Sequence, residues 1–67
     1  MTIFFNNEPL NLPKEILTVE DLLKWKDIKH QGTAVAINEK LLRKDQWGIT
    51  QLQDLMNVSV ITAAFGG

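Results

Sequence analysis

Thr18-Val19-Glu20-Asp21-Leu22-Leu23-Lys24-Trp25-Lys26-Asp27 is the stretch of this chain that reads as a full helix. Thr18 is a good N-cap, and Glu20 and Asp21 place negative charge in the first turn, where the helix dipole favours it. Val19, Leu22 and Leu23 recur at helical spacing and form a buried stripe. A glutamate at position 21 would complete a capping box, which the shorter aspartate only approximates. Trp25 lies beside Leu22 on the helical wheel. Lys26 falls near the centre of the apolar stripe, so either its stem snorkels outward or the helix unwinds there. The expected helix runs from Thr18 to Asp27 and stops before Gln31-Gly32.

Everything upstream of this helix reads as a hairpin. Thr2 to Asn6 is apolar and rich in aromatic and β-branched residues, and it ends at the turn-forming pair Asn6-Asn7. Alternation puts Ile3 and Phe5 on one face and Phe4 on the other, and Leu10 and Leu12 alternate on the returning strand. Pro9 has no N–H to give to a ladder, so that strand belongs at an edge. Downstream, Thr33 to Asn38 reads as a strand turning at Asn38-Glu39 into a short one at Leu41-Leu42. Arg43 to Thr50 carries charges, Trp47 and Gly48, and reads as an irregular connection with one helical turn. Val58 and Val60 alternate with Ser59 in a final strand to Phe65, and Gly66-Gly67 follows. These elements imply an α+β roll with one main helix packed across one face of a mixed sheet, residues 1–65 forming the domain and 66–67 a flexible tail. The expected core is Ile3, Phe5, Val19, Leu22, Leu23, Val35, Ile37, Val58 and Val60.

Sixty-seven residues suffice for one domain with a modest core and leave no room for a built-in cleft. The absence of cysteine and the single histidine, His30, mean that neither disulfides nor a histidine–cysteine metal site staples the fold. An apolar fraction of 45% with 22% charged residues is that of a globular chain and not of a disordered one. The net charge of −1, with no basic stripe, gives nucleic-acid binding no electrostatic support. The N-terminal residues show neither a charged leader nor an apolar run long enough to span a bilayer, so the expectation is a cytoplasmic protein without membrane contact.

Side-chain chemistry is sparse. His30 reads as an exposed loop residue, Glu20, Asp21 and Asp27 as cap and surface charges, and Trp25 and Trp47 as packing groups. Gly32 and Gly48 are isolated, and no phosphate-cradling glycine motif occurs. What remains is the end of the chain. Gly66 and Gly67 lack Cβ atoms and can thread a narrow channel, and two extended residues carry the Gly67 carboxylate about 7 Å beyond the last strand. In that strand Ser59, Ile61, Ala63 and Phe65 share the face opposite Val58 and Val60. Ile61 and Phe65, with Ala63 between them and Phe4 from the first strand, are the expected partner contacts.

Over its whole length the sequence resembles the ThiS family, the sulfur carriers of thiamine thiazole synthesis. The resemblance rests on Ile3-Phe4-Phe5-Asn6, Thr18-Val19 with Leu22-Leu23, Ala34-Val35-Ala36-Ile37-Asn38, Trp47 after Arg43, and the terminal Gly66-Gly67. Asp54-Leu55-Met56 stands where the family often has an Asp-Gly-Asp turn, and Lys26 replaces an apolar helix position. The resemblance implies a ubiquitin-like β-grasp fold and a protein that is a co-substrate and not an enzyme. It implies that Gly67 is adenylated with ATP by a ThiF-type adenylyltransferase and converted to a thiocarboxylate by a sulfur donor system. Sulfur then passes to the thiazole synthase ThiG. No cofactor is implied to be stably bound, and ATP is used by the partner. A chain without cysteine cannot carry sulfur as a side-chain persulfide, which fits loading at the terminus. Two other readings share the residues: the small subunit of molybdopterin synthase, with the same fold and terminal Gly-Gly but usually longer, and a β-grasp interaction module whose glycines are only a tail.

Overall fold

The computed structural model describes residues 1–62, ordered as β1 (Thr2–Phe5), β2 (Glu8–Asn11), α1 (Val19–Trp25), β3 (Thr33–Ile37), β4 (Lys40–Leu42), a 3-10 turn (Lys44–Gln46) and β5 (Asn57–Thr62). The final stretch of the expected last strand, to Phe65, and the tail at 66–67 lie outside the described residues. Both hairpins turn on pairs with left-handed backbone: Asn6 and Asn7 have φ of 50° and 68°, and Asn38 and Glu39 have 48° and 72°. Positive φ at both central positions is the turn that matches the right-handed twist of the flanking strands, and asparagine tolerates it better than most residues. The sheet order is β2-β1-β5-β3-β4, with β1 and β5 parallel and the other neighbours antiparallel. Pro9 is on an edge strand, as its missing N–H requires.

The seven residues of α1 are too few to be helical by themselves in water, and every N–H of its first turn is met by a partner. Val19 N donates to Thr50 O at 3.1 Å, Glu20 N to Trp47 O at 3.1 Å and Asp21 N to Thr18 Oγ1 at 3.1 Å. The aspartate does complete the capping box: Asp21 Oδ2 accepts from Thr18 N, and also from Leu17 N, each at 3.1 Å.

At the other end the helix stops at Trp25, two residues earlier than its pattern predicts, and Lys26 is the C-cap. Asp27 takes φ 56°, Asp27 N donates to Lys24 O at 3.1 Å, and Ile28 N donates to Leu23 O at 2.8 Å. This is a Schellman closure with aspartate where glycine is usual. The unwinding resolves the misfit of Lys26: its stem leaves the stripe, and its ammonium sits 5.2 Å from the centre of the Phe5 ring.

The two backbone N–H bonds to Asp21 hold its carboxyl below the ordinary aspartate range. A depressed folded value means that the carboxylate form stabilises the fold above about pH 4, and that this contribution is lost as pH falls through the lower folded value. Asp21→Asn should therefore flatten the acid limb of a stability-against-pH curve measured by urea titration. An acid limb unchanged by the substitution would remove Asp21 as its source.

Ile3, Val19, Leu22, Leu23, Val35, Val58 and Val60 are buried as their periodicity predicts, and Phe5 and Ile37 are partly buried against them. Leu12, Ile16, Trp47 and Leu52 complete the core. Ile16, Trp47 and Leu52 lie in connections that have no period to betray them, whereas Leu12 directly follows β2 and continues its alternation with Leu10. Leu12 N donates to Met1 O at 2.8 Å, extending the β1–β2 ladder by a residue, and Leu52 N donates to Leu17 O at 2.8 Å, joining the two long connections to each other.

The turn before β5 contains a strained residue. Leu55 has φ 65°, a conformation that a branched side chain rarely adopts, and its side chain is exposed. It stands where the ThiS resemblance points to glycine. Its N–H bonds to Thr2 O at 2.6 Å, while Thr2 N donates to Asp54 Oδ1 at 2.9 Å, so the start of β1 holds the turn in place. Leu55→Gly is expected to raise stability by about 1 kcal/mol, the left-handed penalty less the entropy glycine adds to the unfolded chain. A lower urea midpoint for this variant would contradict the assignment.

Candidate functional site

β5 is the central strand, and its two neighbours end differently along it. β1 pairs only as far as Phe5 with Val58, whereas β3 continues alongside to Thr33 opposite Thr62. Past the end of β1, Asn6 takes over the edge: its backbone N donates to Val58 O at 2.9 Å, and its side-chain Oδ1 accepts from Val60 N at 2.8 Å. One asparagine thus makes the turn, extends the parallel ladder by a side-chain carbonyl and spares β5 an unpaired N–H. Beyond it, β5 runs on with β3 as its partner, so the last described residues project past the β1 side of the sheet.

Ile61 is 68% exposed, on the face opposite Val58 and Val60, with Ala34 its exposed neighbour on β3 and Leu41 and Ala36 farther along the same side. Phe4 is half-buried and shares that face through its pairing with Asn57. Four residue steps along the strand separate Asn57 from Ile61, a distance of about 13 Å, so Phe4 and Ile61 sit at different ends of the surface and do not touch. Ala63, Phe65, Gly66 and Gly67 lie outside the described residues.

The other candidates take the positions of packing and surface groups. Trp47 is 2% exposed, with Nε1 donating to Leu42 O at 3.4 Å and the half-buried His30 standing edge-on to it, ring centres 5.3 Å apart. His30 is thus drawn against the core by the indole, which a reading of its loop as exposed does not anticipate. Trp25 is 43% exposed. An open concavity at the beginning of β5 is lined by Asn7, Asn38, Glu39, Asn57 and Ser59, which are amides, one carboxylate and one hydroxyl. It lacks a paired acid and base. Among the described residues no group of acidic, histidine or cysteine side chains is placed to hold a metal ion, and no helix is long and apolar enough to cross a membrane.

A mixed five-stranded sheet with one helix across it, and a central last strand running out at the sheet's end, defines a ubiquitin-like β-grasp protein. The family model of the ThiS family matches residues 3–67, and the chain belongs to that family, whose members are small sulfur carriers and not catalysts. Among solved structures, the crystal structure of thiamine biosynthesis protein ThiS from Geobacter metallireducens has the same fold at TM-score 0.83 and 22% identity, covering 100% of both chains. The solution structure of a thiamine biosynthesis protein from the same organism gives TM-score 0.82 at 20% identity, covering 100% of this chain and 88% of that one. No curated protein matches the sequence.

Proposed function

We propose that this chain is a sulfur carrier of thiamine biosynthesis whose working group is the carboxylate of Gly67. The observation that carries the reading is membership of the ThiS family across residues 3–67, a span that includes the terminal Gly66-Gly67. A carboxylate resists nucleophiles because its charge is delocalised. Attack of one Gly67 oxygen on the α-phosphorus of ATP releases pyrophosphate and leaves an acyl adenylate with a good leaving group. A sulfur nucleophile then adds to the acyl carbon and AMP departs with that oxygen, so a thiocarboxylate replaces the carboxylate. The acyl transfer chemistry belongs to a ThiF-type activating enzyme. The thiocarboxylate is a reactive sulfur nucleophile suited to delivery into the thiazole ring by a thiazole synthase of the ThiG type. The carrier contributes a terminus that reaches another protein's active site, and a surface that docks there.

Intact mass measurement tests the reading directly. Incubation with ATP, the activating enzyme and a sulfur source should add the mass of one sulfur less one oxygen, and the gain should map to the C-terminal peptide. An unchanged mass, with the activating enzyme shown active on its own carrier, would leave only an interaction module.

The docking surface includes Ile61 in this reading, since an exposed apolar group beside the emerging tail fits a protein interface. Ile61→Asp should weaken the complex with the activating enzyme by about tenfold or more, the scale of losing one buried apolar anchor, while thermal melting stays near that of the parent. Unchanged affinity in a binding titration would remove Ile61 from the interface.

A further inference from the structure

The charges of this chain are not spread evenly. Residues 29–44 hold four Lys and Arg with one acid, Glu39, whereas the rest of the chain holds three Lys and seven Asp and Glu. Topology turns this difference along the sequence into a lateral one. Residues 29–44 supply the end of the α1–β3 connection and the whole of β3 and β4, which lie side by side at one margin of the sheet, while the remaining acids lie in β2 (Glu8), α1 (Glu20, Asp21) and the connections (Glu15, Asp27, Asp45, Asp54), and β1 and β5 are uncharged.

The cations are also sorted along that margin. β4 runs antiparallel to β3, with Leu42 opposite Val35, so the chain at Arg43 and Lys44 has returned to the end of the sheet where β3 begins. Lys29 and His30 arrive at the same end from the helix: Thr33 N donates to His30 O at 3.3 Å, and the Thr33 hydroxyl donates to Lys29 O. His30 and Lys44 meet there on a single indole, the imidazole 5.3 Å from the Trp47 ring and the Lys44 ammonium 5.7 Å from it. Thr62, the last described residue of β5, pairs with Thr33 at this same end. Lys40 lies at the far end, next in sequence to Glu39, and Arg43 is paired with Asp45 at 3.0 Å, both side chains exposed. Lys29 and Lys44 are therefore the cations that give the exit of β5 its positive field.

We propose that this end of the β3–β4 margin is an electrostatic docking surface for a partner protein whose tail-accepting channel is bordered by acidic side chains. The inference rests on the carrier reading and specifies the chemistry of the partner's surface. Its physical basis is complementarity: a positive margin on a molecule whose remaining residues carry net negative charge both speeds encounter and fixes orientation, because a rotated approach sets like charges against each other. The field is placed where orientation matters, at the root of the segment that must enter the channel. The Lys44 ammonium stands against the Trp47 ring, and the hydrogen bonds at Thr33 tie the backbone at Lys29 and His30 to the start of β3.

The test uses the full chain with the ThiF-type enzyme that loads it. For the parent, kcat/KM for ATP-dependent loading should fall about tenfold as ionic strength rises from about 0.01 M to about 0.15 M, where the Debye length shortens from about 30 to about 8 Å. The double variant Lys29→Glu/Lys44→Glu should lose at least about tenfold in kcat/KM at the lower ionic strength, through KM with kcat retained, and should lose the salt dependence. Lys14→Glu/Lys40→Glu changes net charge equally away from the exit, and it should stay within about threefold of the parent and keep its salt dependence. Because Lys44 packs on Trp47, Lys29→Glu alone serves as the variant free of that contact, and it should show the same shift in KM at smaller size. Loading of the double variant with the KM of the Lys14→Glu/Lys40→Glu control overturns the docking surface and leaves the carrier reading intact. Failure of the parent chain to be loaded at all removes both.

Discussion

Deletion of Gly66 and Gly67 is expected to abolish ATP-dependent gain of sulfur while leaving the thermal midpoint of the domain within about a degree or two of the parent. Adenylation needs a free α-carboxylate on residues slim enough to enter a channel that admits bare main chain, and after the deletion the terminal residue is Phe65. Every buried core residue described lies between Ile3 and Val60, which is the ground for expecting an unchanged midpoint. Appending one residue after Gly67 should be equally damaging, since it converts the reacting carboxylate to an amide. Intact mass reads the first effect and a melting curve the second. Sulfur acquired by the truncated chain would sink the assignment of Gly67, and a large loss of stability would show that the tail belongs to the packed domain.

The largest loss of stability should come from Trp47→Ala. Trp47 is among the largest fully buried side chains, and removing such a group costs about 3 to 5 kcal/mol. At the usual stability per residue, a chain this short holds roughly 3 to 10 kcal/mol in all, so the variant should be close to unfolded at room temperature. The consequences reach beyond the cavity. The Trp47 carbonyl accepts from Glu20 N in the first turn of α1, so disorder of this connection uncaps the helix. Its ring also holds His30 and Lys44 at the exit of β5. Trp25→Ala is the matched control: at 43% exposed, that indole should cost far less. A urea titration in which the two alanine variants lose equal stability would refute the division of labour between the tryptophans.

Several features of the fold could be read because their causes are local. Asn6-Asn7 and Asn38 announce their turns by the left-handed conformation that asparagine accepts, and Pro9 declares an edge by the bond it cannot make. Thr18 with Asp21 starts the helix through contacts three residues apart. The alternation of Val58, Ser59 and Val60 and the stripe of Val19, Leu22 and Leu23 report a buried face wherever a regular element supplies a period.

The tertiary structure alone decided what depends on residues far apart in the chain. Ile16, Trp47 and Leu52 are buried because two aperiodic connections fold over the sheet, and no spacing within either connection encodes that meeting. The helix ends at Trp25 because Lys26 finds Phe5 and Asp27 accepts a left-handed turn, although the pattern continues past both. Phe4 and Ile61 share a face by alternation, yet the parallel register of β1 on β5 holds them at opposite ends of it. The sequence shows that Lys29 and Lys44 are basic. Only the antiparallel return of β4 along β3 brings them to the end of the sheet where Thr62 leaves, since strand pairing, which joins distant segments, fixes which charges become neighbours.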